Sequence, residues 1–206
     1  MIEMLHGDCM DYMSGLPDRL QDLFPVHYRN GNILMINADC MDVMKHIHDN
    51  EVELSCVDPP YGIGIANCKG FYHTKGVGQA NPHIPKKWDS AIPEKEYFDE
   101  LFRISKNQII WGGNYFTDFL FPSRGWIFWD KVKYVDNYAD GELAWTSFDI
   151  NIKQATIQHH GFLTGDGKSI HPTQKPVALY KWLLSRYAKP GDRILDTHGG
   201  SGSICI

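Results

Sequence analysis

The chain has 206 residues, of which 43% are hydrophobic and 22% charged, values that are ordinary for a globular protein with one buried core. Its formal net charge of −5 argues against a non-specific nucleic-acid binder, and the lack of a run of about 18 apolar residues or a signal-peptide pattern favours a cytoplasmic protein outside the membrane. Five cysteines without a C-x-x-C pair argue against disulfides and zinc.

Charge is distributed unevenly along the chain. Residues 1–60 carry 11 acidic and 3 basic side chains, whereas residues 61–206 carry 14 acidic and 17 basic ones. Any contacts to phosphates are therefore expected from the second part, where seven lysines lie in loop-like sequence. These are Lys69, Lys75, Lys86, Lys87, Lys131, Lys133 and Lys168. The alternative for most of them is a solvated surface position.

The amino-terminal part contains one internal repeat. Residues 4–13 recur, shifted by 31 positions, as residues 35–44, and both copies predict a strand, an acidic turn and a short amphipathic helix. Only the second copy is followed by the tetrapeptide Asp58-Pro59-Pro60-Tyr61. We therefore interpret residues 1–30 as a partial duplicate of the segment 35–54 and expect the first copy to form an appendage or an added edge strand.

The first chemical motif, Asp58-Pro59-Pro60-Tyr61, follows a predicted buried strand at 52–57. The Asp58 carboxylate and the Pro59 carbonyl can accept both hydrogens of an exocyclic amine, and the prolines stiffen the turn. Such acceptors free the lone pair of the amine nitrogen, which is otherwise delocalised into the aromatic ring that carries the amine. An aromatic side chain at Tyr61 can stack on that ring. The motif therefore predicts a site for a flat ring with an amine; the alternative is a proline-rich turn with an incidental aspartate.

The segment between the motifs predicts a loop followed by alternating helices and strands. Residues 62–89 are rich in glycine and lack an apolar stripe, which is typical of a mobile lid. The expected elements after it are a helix that opens at Pro93, strands at 108–111, 125–130, 142–146 and 154–157, a helix at 177–187 and a strand at 193–196. This alternation predicts an α/β fold with a mostly parallel sheet flanked by helices.

The second chemical motif is a glycine loop directly after the predicted strand at 193–196. Asp196 at the strand tip can hold an ammonium group, and Gly199, Gly200 and Gly202 let a ligand approach the backbone. The spacing Asp-x-x-x-Gly-x-Gly differs from the dinucleotide pattern Gly-x-Gly-x-x-Gly, which disfavours NAD. Because ligands bind at the carboxyl ends of strands in α/β sheets, both motifs are expected in one site. Together they indicate a methyltransferase that acts on amines.

Taken together, these motifs resemble the amino-directed DNA methyltransferases that use S-adenosylmethionine, in the circularly permuted β-type group whose catalytic motif precedes the cofactor motif. The resemblance covers most of residues 31–206. It implies a Rossmann-like methyltransferase sheet, a double-stranded DNA partner, no metal, and transfer to N6 of a flipped-out adenine. It implies that the catalytic residues are Asp58, Pro59, Pro60 and Tyr61. The cofactor residues that it implies are Asp39, Cys40, Thr173, Lys175, Asp196, His198, Gly200, Ser201 and Gly202.

The chain departs from the family pattern in two places. Thr197 and His198 replace the common Pro-Phe, so His198 is expected to form a wall of the cofactor pocket. The sequence also ends at Ile206, shortly after the glycine loop, so the last strands of the family sheet are expected to be missing, including one whose acidic end holds the ribose. This predicts an open sheet edge, weak cofactor binding, and either a fragment or a shortened relative.

Three functions are open at this point. The leading one is an adenine-N6 DNA methyltransferase of a restriction-modification system or a phage, because an aspartate in the first position of the tetrapeptide favours adenine. The second is a relative that methylates cytosine N4, RNA or a protein amide. The third is a catalytically silent DNA-binding or interaction protein. The oligomeric state is open, with a dimer among the options.

Overall fold

The computed structural model describes residues 2–6, 16–64, 89–132, 139–158 and 174–205. The strands are β1 (Ile2–His6), β2 (Val26–Asn30), β3 (Ile33–Ile36), β4 (Val52–Val57), β5 (Ser105–Trp111), β6 (Trp126–Asp130), β7 (Gly141–Thr146), β8 (Lys153–Thr156) and β9 (Arg193–Asp196). The helices are α1 (Leu16–Leu23), α2 (Cys40–Met44), α3 (Lys95–Ile104) and α4 (Val177–Tyr187). Short 3-10 helices are formed by Gly113–Tyr115 and Ser203–Cys205.

These strands form one sheet in the order β2-β3-β1-β9-β4-β5-β7-β6-β8. The central strands β9, β4 and β5 are parallel neighbours, as are β6 and β8. The remaining neighbours are antiparallel and include the hairpins β2–β3 and β6–β7. The expected α/β class is confirmed, with the parallel arrangement concentrated in the strands that carry the two motifs.

Successive residues of the central strands face opposite sides of the sheet. Ile110 and Leu195 pack on the side covered by α1, α2 and α3, whereas Ile109 and Ile194 pack on the side covered by α4. Burial on both faces agrees with the consecutive buried residues at the carboxyl ends of these strands, such as 54–57 in β4 and 108–111 in β5. The helices thus pack against both faces of the central strands, which positions the residues at their carboxyl ends.

The strand β1 lies inside the sheet, which corrects two expectations from the sequence. It pairs antiparallel with β3 on one side and with β9 on the other, where Glu3 is opposite Asp196. The first copy of the repeat is therefore not an added edge strand. The edge of β9 that was expected to be open is covered by β1, so the backbone groups of β9 find partners on both sides.

Most of the segment 62–89, the expected lid, lies outside the described residues. Its two ends are joined to each other, since the carboxylate of Asp89 accepts a hydrogen bond of 2.9 Å from the N–H of Gly62. The carbonyl of Asp89 accepts a second one, of 3.0 Å, from the N–H of Gly64. The two described ends of this segment therefore lie side by side, directly after the Asp-Pro-Pro-Tyr motif.

The described part of the chain offers neither a membrane-spanning helix nor a cluster of metal ligands. None of its helices combines the length and the apolar character needed to cross a bilayer. Nor do its histidine, cysteine, aspartate and glutamate side chains form a group of three or more that could hold a metal ion.

Candidate active site

The two motifs meet at one edge of the sheet because their strands are parallel neighbours. In the pairing of β4 with β9, Leu54 is opposite Ile194. Asp58, just after β4, and Asp196, the last residue of β9, therefore share the carboxyl edge. The thiol of Cys56 is buried nearby, and its pKa is raised by burial and then by the charges of Asp196 and Asp58. The structure thus brings together the two acidic residues that the sequence placed in one site.

Each carboxylate oxygen of Asp58 has a donor from another side chain. The hydroxyl of Tyr61 donates to Oδ1 over 2.7 Å, and Nζ of Lys175 lies 2.5 Å from Oδ2. A carboxylate oxygen can accept more than one hydrogen bond, so these contacts leave acceptor capacity for a target amine. The two contacts hold the Asp58 side chain in one orientation.

Lys175 lies between two carboxylates and is almost fully buried, with 4% of its side chain exposed. Its Nζ is 3.1 Å from Oε2 of Glu142 and 5.2 Å from the ring centroid of Trp111. Burial alone would lower its pKa, but the charges of Asp58 and Glu142 outweigh burial and raise the pKa above its ordinary value. Lys175 is therefore a cation in contact with the Asp-Pro-Pro-Tyr motif, although the resemblance places it among the cofactor residues.

Glu142 is a site residue that the sequence analysis did not identify. It belongs to β7, and its Oε1 lies 2.5 Å from Nζ of Lys131. Burial alone would raise its pKa, but the charges of Lys175 and Lys131 lower it to about 2. Lys131, expected to contact phosphate or solvent, is instead paired in the site. The only signal in the sequence is one acidic residue in an otherwise apolar strand.

An aromatic cluster surrounds the ring of Tyr61. The ring stacks on Tyr115, with centroids 5.0 Å apart and an interplanar angle of 15°, and it meets Phe116 edge-on at 6.1 Å. On another side it rests on Gly112, whose φ is +70°. Tyr115 is 43% exposed, so the cluster opens to solvent on its side. In the sequence, Gly112 is distinguished only by its position directly after the strand expected at 108–111.

The glycine loop after β9 turns sharply in front of Asp196. Gly200 and Gly202 have φ values of +54° and +71°, which side chains strain to adopt. The carboxylate of Asp196 accepts a hydrogen bond of 2.9 Å from the N–H of His198 and so anchors the start of the loop. The Ser201 hydroxyl lies 2.8 Å from that of Ser203. The loop therefore presents backbone rather than bulky side chains.

His198 is a partly buried, neutral ring. Its Nδ1 is 2.8 Å from Oγ1 of Thr197, which in turn lies 2.7 Å from the hydroxyl of Tyr97. The ring also meets Tyr97 edge-on, with centroids 5.5 Å apart. Burial lowers the pKa of His198 to about 4, so it carries no charge near pH 7.

Asp39 and Cys40 lie at the start of α2, beyond β3. The carboxylate of Asp39 caps this helix by accepting a hydrogen bond of 2.8 Å from the N–H of Met41. The pKa of Cys40 is raised by burial and by Asp39. The charge of Asp39 also raises the pKa of His198, against the larger effect of burial. Thr173 lies outside the described residues.

Known proteins provide two comparisons for this arrangement. Solved structures of TTHA0409 from Thermus thermophilus, provisionally named a DNA modification methylase, match the chain with a TM-score of 0.44. One matches at 16% identity over 82% of this chain and 80% of that chain. Another, complexed with S-adenosyl-L-methionine, matches at 15% identity over 82% and 81%. In sequence, residues 128–206, which carry Glu142, Lys175 and the glycine loop, match the N6/N4 methyltransferase family model, described as DNA methylase.

Proposed function

We propose that this protein is an enzyme that transfers a methyl group from S-adenosylmethionine to the exocyclic N6 amine of an adenine in double-stranded DNA. One observation carries the proposal: the Asp58–Tyr61 turn and the glycine loop end neighbouring parallel strands. The family match over residues 128–206 supports the same reading from the sequence. The order of the two motifs along the chain supports the circularly permuted arrangement.

The target amine would be held by the turn at Asp58. One of its hydrogens would bond the Asp58 carboxylate and the other the carbonyl of Pro59, which frees the nitrogen lone pair from the ring. Pro60 keeps the turn stiff. S-adenosylmethionine, when bound, would supply an electrophilic methyl group whose bond to sulfur breaks as the bond to nitrogen forms, and the methylated nitrogen would then release one proton to solvent. An acceptor placed where the amine develops positive charge favours the transition state over the ground state.

A base would reach this turn only after it leaves the DNA stack. Tyr61 and Tyr115 offer aromatic faces for it, and stacking of this kind contributes roughly 1–3 kcal/mol per base. Tyr115 is the accessible member of the pair. We infer that the flipped adenine enters beside Tyr115 and stacks on the exposed side of that ring, because the other side of Tyr115 already stacks on the ring of Tyr61.

The residues around the glycine loop fit a cofactor that carries both an ammonium group and a flat ring. Asp196 supplies a carboxylate at the end of β9, and the left-handed Gly200 and Gly202 allow close approach to the backbone. Neutral His198 offers an uncharged wall. The residues that would hold S-adenosylmethionine are Asp39, Cys40, Lys175, Asp196, His198, Gly200, Ser201 and Gly202, together with Thr173.

The experiment that tests the function is a labelled-methyl transfer assay on duplex DNA, RNA and protein, with Asp58→Ala as the negative control. Digestion of the DNA to nucleosides and mass spectrometry then separates N6-methyladenine from N4-methylcytosine. We expect N6-methyladenine in DNA with the unaltered chain and none with the variant. Methylcytosine, or methylated RNA or protein, would replace the substrate assignment. Absence of both transfer and calorimetric cofactor binding would indicate the catalytically silent alternative.

A further inference from the structure

Four charged side chains at the site form a row of alternating sign. Asp58 pairs with Lys175, Lys175 pairs with Glu142, and Glu142 pairs with Lys131, over 2.5, 3.1 and 2.5 Å. The four formal charges sum to zero. The side chains are mostly buried, with 23% of Glu142 and 19% of Lys131 exposed. Charges in such surroundings interact strongly because solvent screens them little.

We propose that Glu142 is a positioning residue of the methyl-transfer site: it shares the ammonium of Lys175 and thereby leaves negative charge on Asp58 for the target amine. This inference rests on the function proposed above. It concerns a residue of β7, which is separated from both sequence motifs along the chain.

The geometry around Lys175 supports this role. Its ammonium has three N–H donors, and three acceptors surround it: Oδ2 of Asp58, Oε2 of Glu142 and, at 3.4 Å, the hydroxyl oxygen of Tyr61. Two of the acceptors come from the turn after β4 and the third from β7, so separate parts of the fold hold the ammonium. Asp58 is already the nearer of the two carboxylates, so without the charge of Glu142 it alone of these three acceptors would balance the charge of the ammonium, and less of its negative charge would remain for the target amine.

Charge balance gives the same result by a second route. An amine that attacks a methyl sulfonium gains positive charge at nitrogen, so the transition state is favoured by negative charge nearby. A neutral side chain at position 142 would change the sum of the four charges from zero to +1. Lys131 keeps Glu142 ionised, since it is one of the two lysines that lower the pKa of Glu142 to about 2.

The first test is kinetic. We expect Glu142→Gln to lower kcat roughly 10- to 100-fold while KM for S-adenosylmethionine changes less than about threefold. The double variant Glu142→Gln/Lys131→Gln restores the charge balance and should regain at least about fivefold of that loss. A purely structural role predicts that the double variant is as slow as the single one or slower. The matched control is Asp99→Asn, which neutralises a carboxylate in an exposed pair with Lys95 and should leave kcat unchanged.

The second test needs no turnover. Hydrogen exchange of the Lys175 ammonium can be followed by NMR in ¹⁵N-lysine-labelled protein, with its signal assigned by its loss in Lys175→Arg. We expect exchange at least about tenfold faster in Glu142→Gln. Unchanged exchange overturns the inference, as does an unchanged kcat or a double variant without recovery. If exchange is faster in Glu142→Gln but the unaltered protein methylates no DNA, the coupling between Glu142 and Lys175 is supported and the proposed function is rejected.

Discussion

The backbone of Gly112 supports the ring of Tyr61 so closely that a Cβ atom at position 112 would overlap the ring carbons. Gly112 follows β5 and Tyr61 follows β4, and these strands are parallel neighbours. Glycine is required here for two reasons, since φ is +70° and the space is filled by the ring. The position of the stacking face at the proposed base site therefore depends on a glycine in another strand end.

Substitution of this glycine should damage the site more than the fold. We expect Gly112→Ala to cost about 1–2 kcal/mol of stability from the left-handed backbone, plus a displacement of Tyr61 that lowers kcat/KM roughly 10²-fold. The matched control is Gly31→Ala, which has φ of +51° and no heavy atom near its Cβ position. It should lose stability only. Equal loss of activity in both variants would show that contact with Tyr61 is not the cause.

The carboxylate of Asp58 should be needed for the chemical step and not for cofactor binding. We expect Asp58→Ala to lower the rate of methyl transfer by ~10² or more, because an acceptor on the reacting amine is lost. Calorimetry should show nearly unchanged affinity for S-adenosylmethionine. Asp149→Ala, at an exposed carboxylate paired with Arg124, serves as the control. Full activity in Asp58→Ala would refute the mechanism.

Tyr115 should contribute to base binding through its ring alone. We expect Tyr115→Ala to weaken binding of DNA with a flipped base by roughly 1–3 kcal/mol, whereas Tyr115→Phe keeps the stacking face and the affinity. The measurement is a fluorescence titration with 2-aminopurine at the target position. If both variants bind like the unaltered protein, Tyr115 does not contact the base.

His198 should make stability depend on pH in the acidic range. Its pKa is about 4 in the folded protein and about 6.5 when unfolded, so the unfolded chain binds more protons between these values. The part of the stability that depends on a neutral His198 is fully present above pH 6.5 and decreases as the pH falls toward 4. Between pH 8 and pH 5, we expect the free energy of unfolding to fall by about 2 kcal/mol more in the unaltered protein than in His198→Phe. Urea titrations of both proteins at the two pH values measure this difference. Equal losses of stability in the two proteins would contradict the prediction.

The strand β1 should be required to keep the sheet from associating. Because β1 pairs on both sides, we expect Glu3→Pro to remove a backbone donor, loosen β1 from its neighbours and expose the edge of β9. Glu3→Gln is the matched control, since it changes the side chain and keeps the N–H. Sedimentation velocity should show larger species for the proline variant only. A monodisperse proline variant with unaltered stability would show that β1 is dispensable.

Several elements could be predicted residue by residue from local patterns. The strands expected at 52–57 and 193–196 coincide with β4 and β9, and the helix expected at 177–187 coincides with α4. Short segments with a mostly apolar interior between turn residues are typical of strands that are buried on both faces of a sheet. The same local signals identified Asp58 and Asp196, since each follows or ends a strand.

The order of strands could not be predicted in this way. Nothing in the residues of β1 distinguishes a place between β3 and β9 from a place at the edge, because a repeat specifies similar local structure and not equivalent neighbours. Residues 4–13 and 35–44 share a pattern, yet the two strands pair with each other and only β1 reaches β9. The expectation of an open edge was wrong for this reason.

The sequence by itself determined the α/β class and the two motif turns, because these depend on apolar periodicity and on the backbone preferences of proline and glycine. Only the tertiary structure decided that Glu142 joins Asp58, Lys175 and Lys131 in one charged row. The physical reason is distance along the chain: a charged pair forms wherever folding brings two side chains within a few ångströms, and no local pattern records which strand will lie opposite.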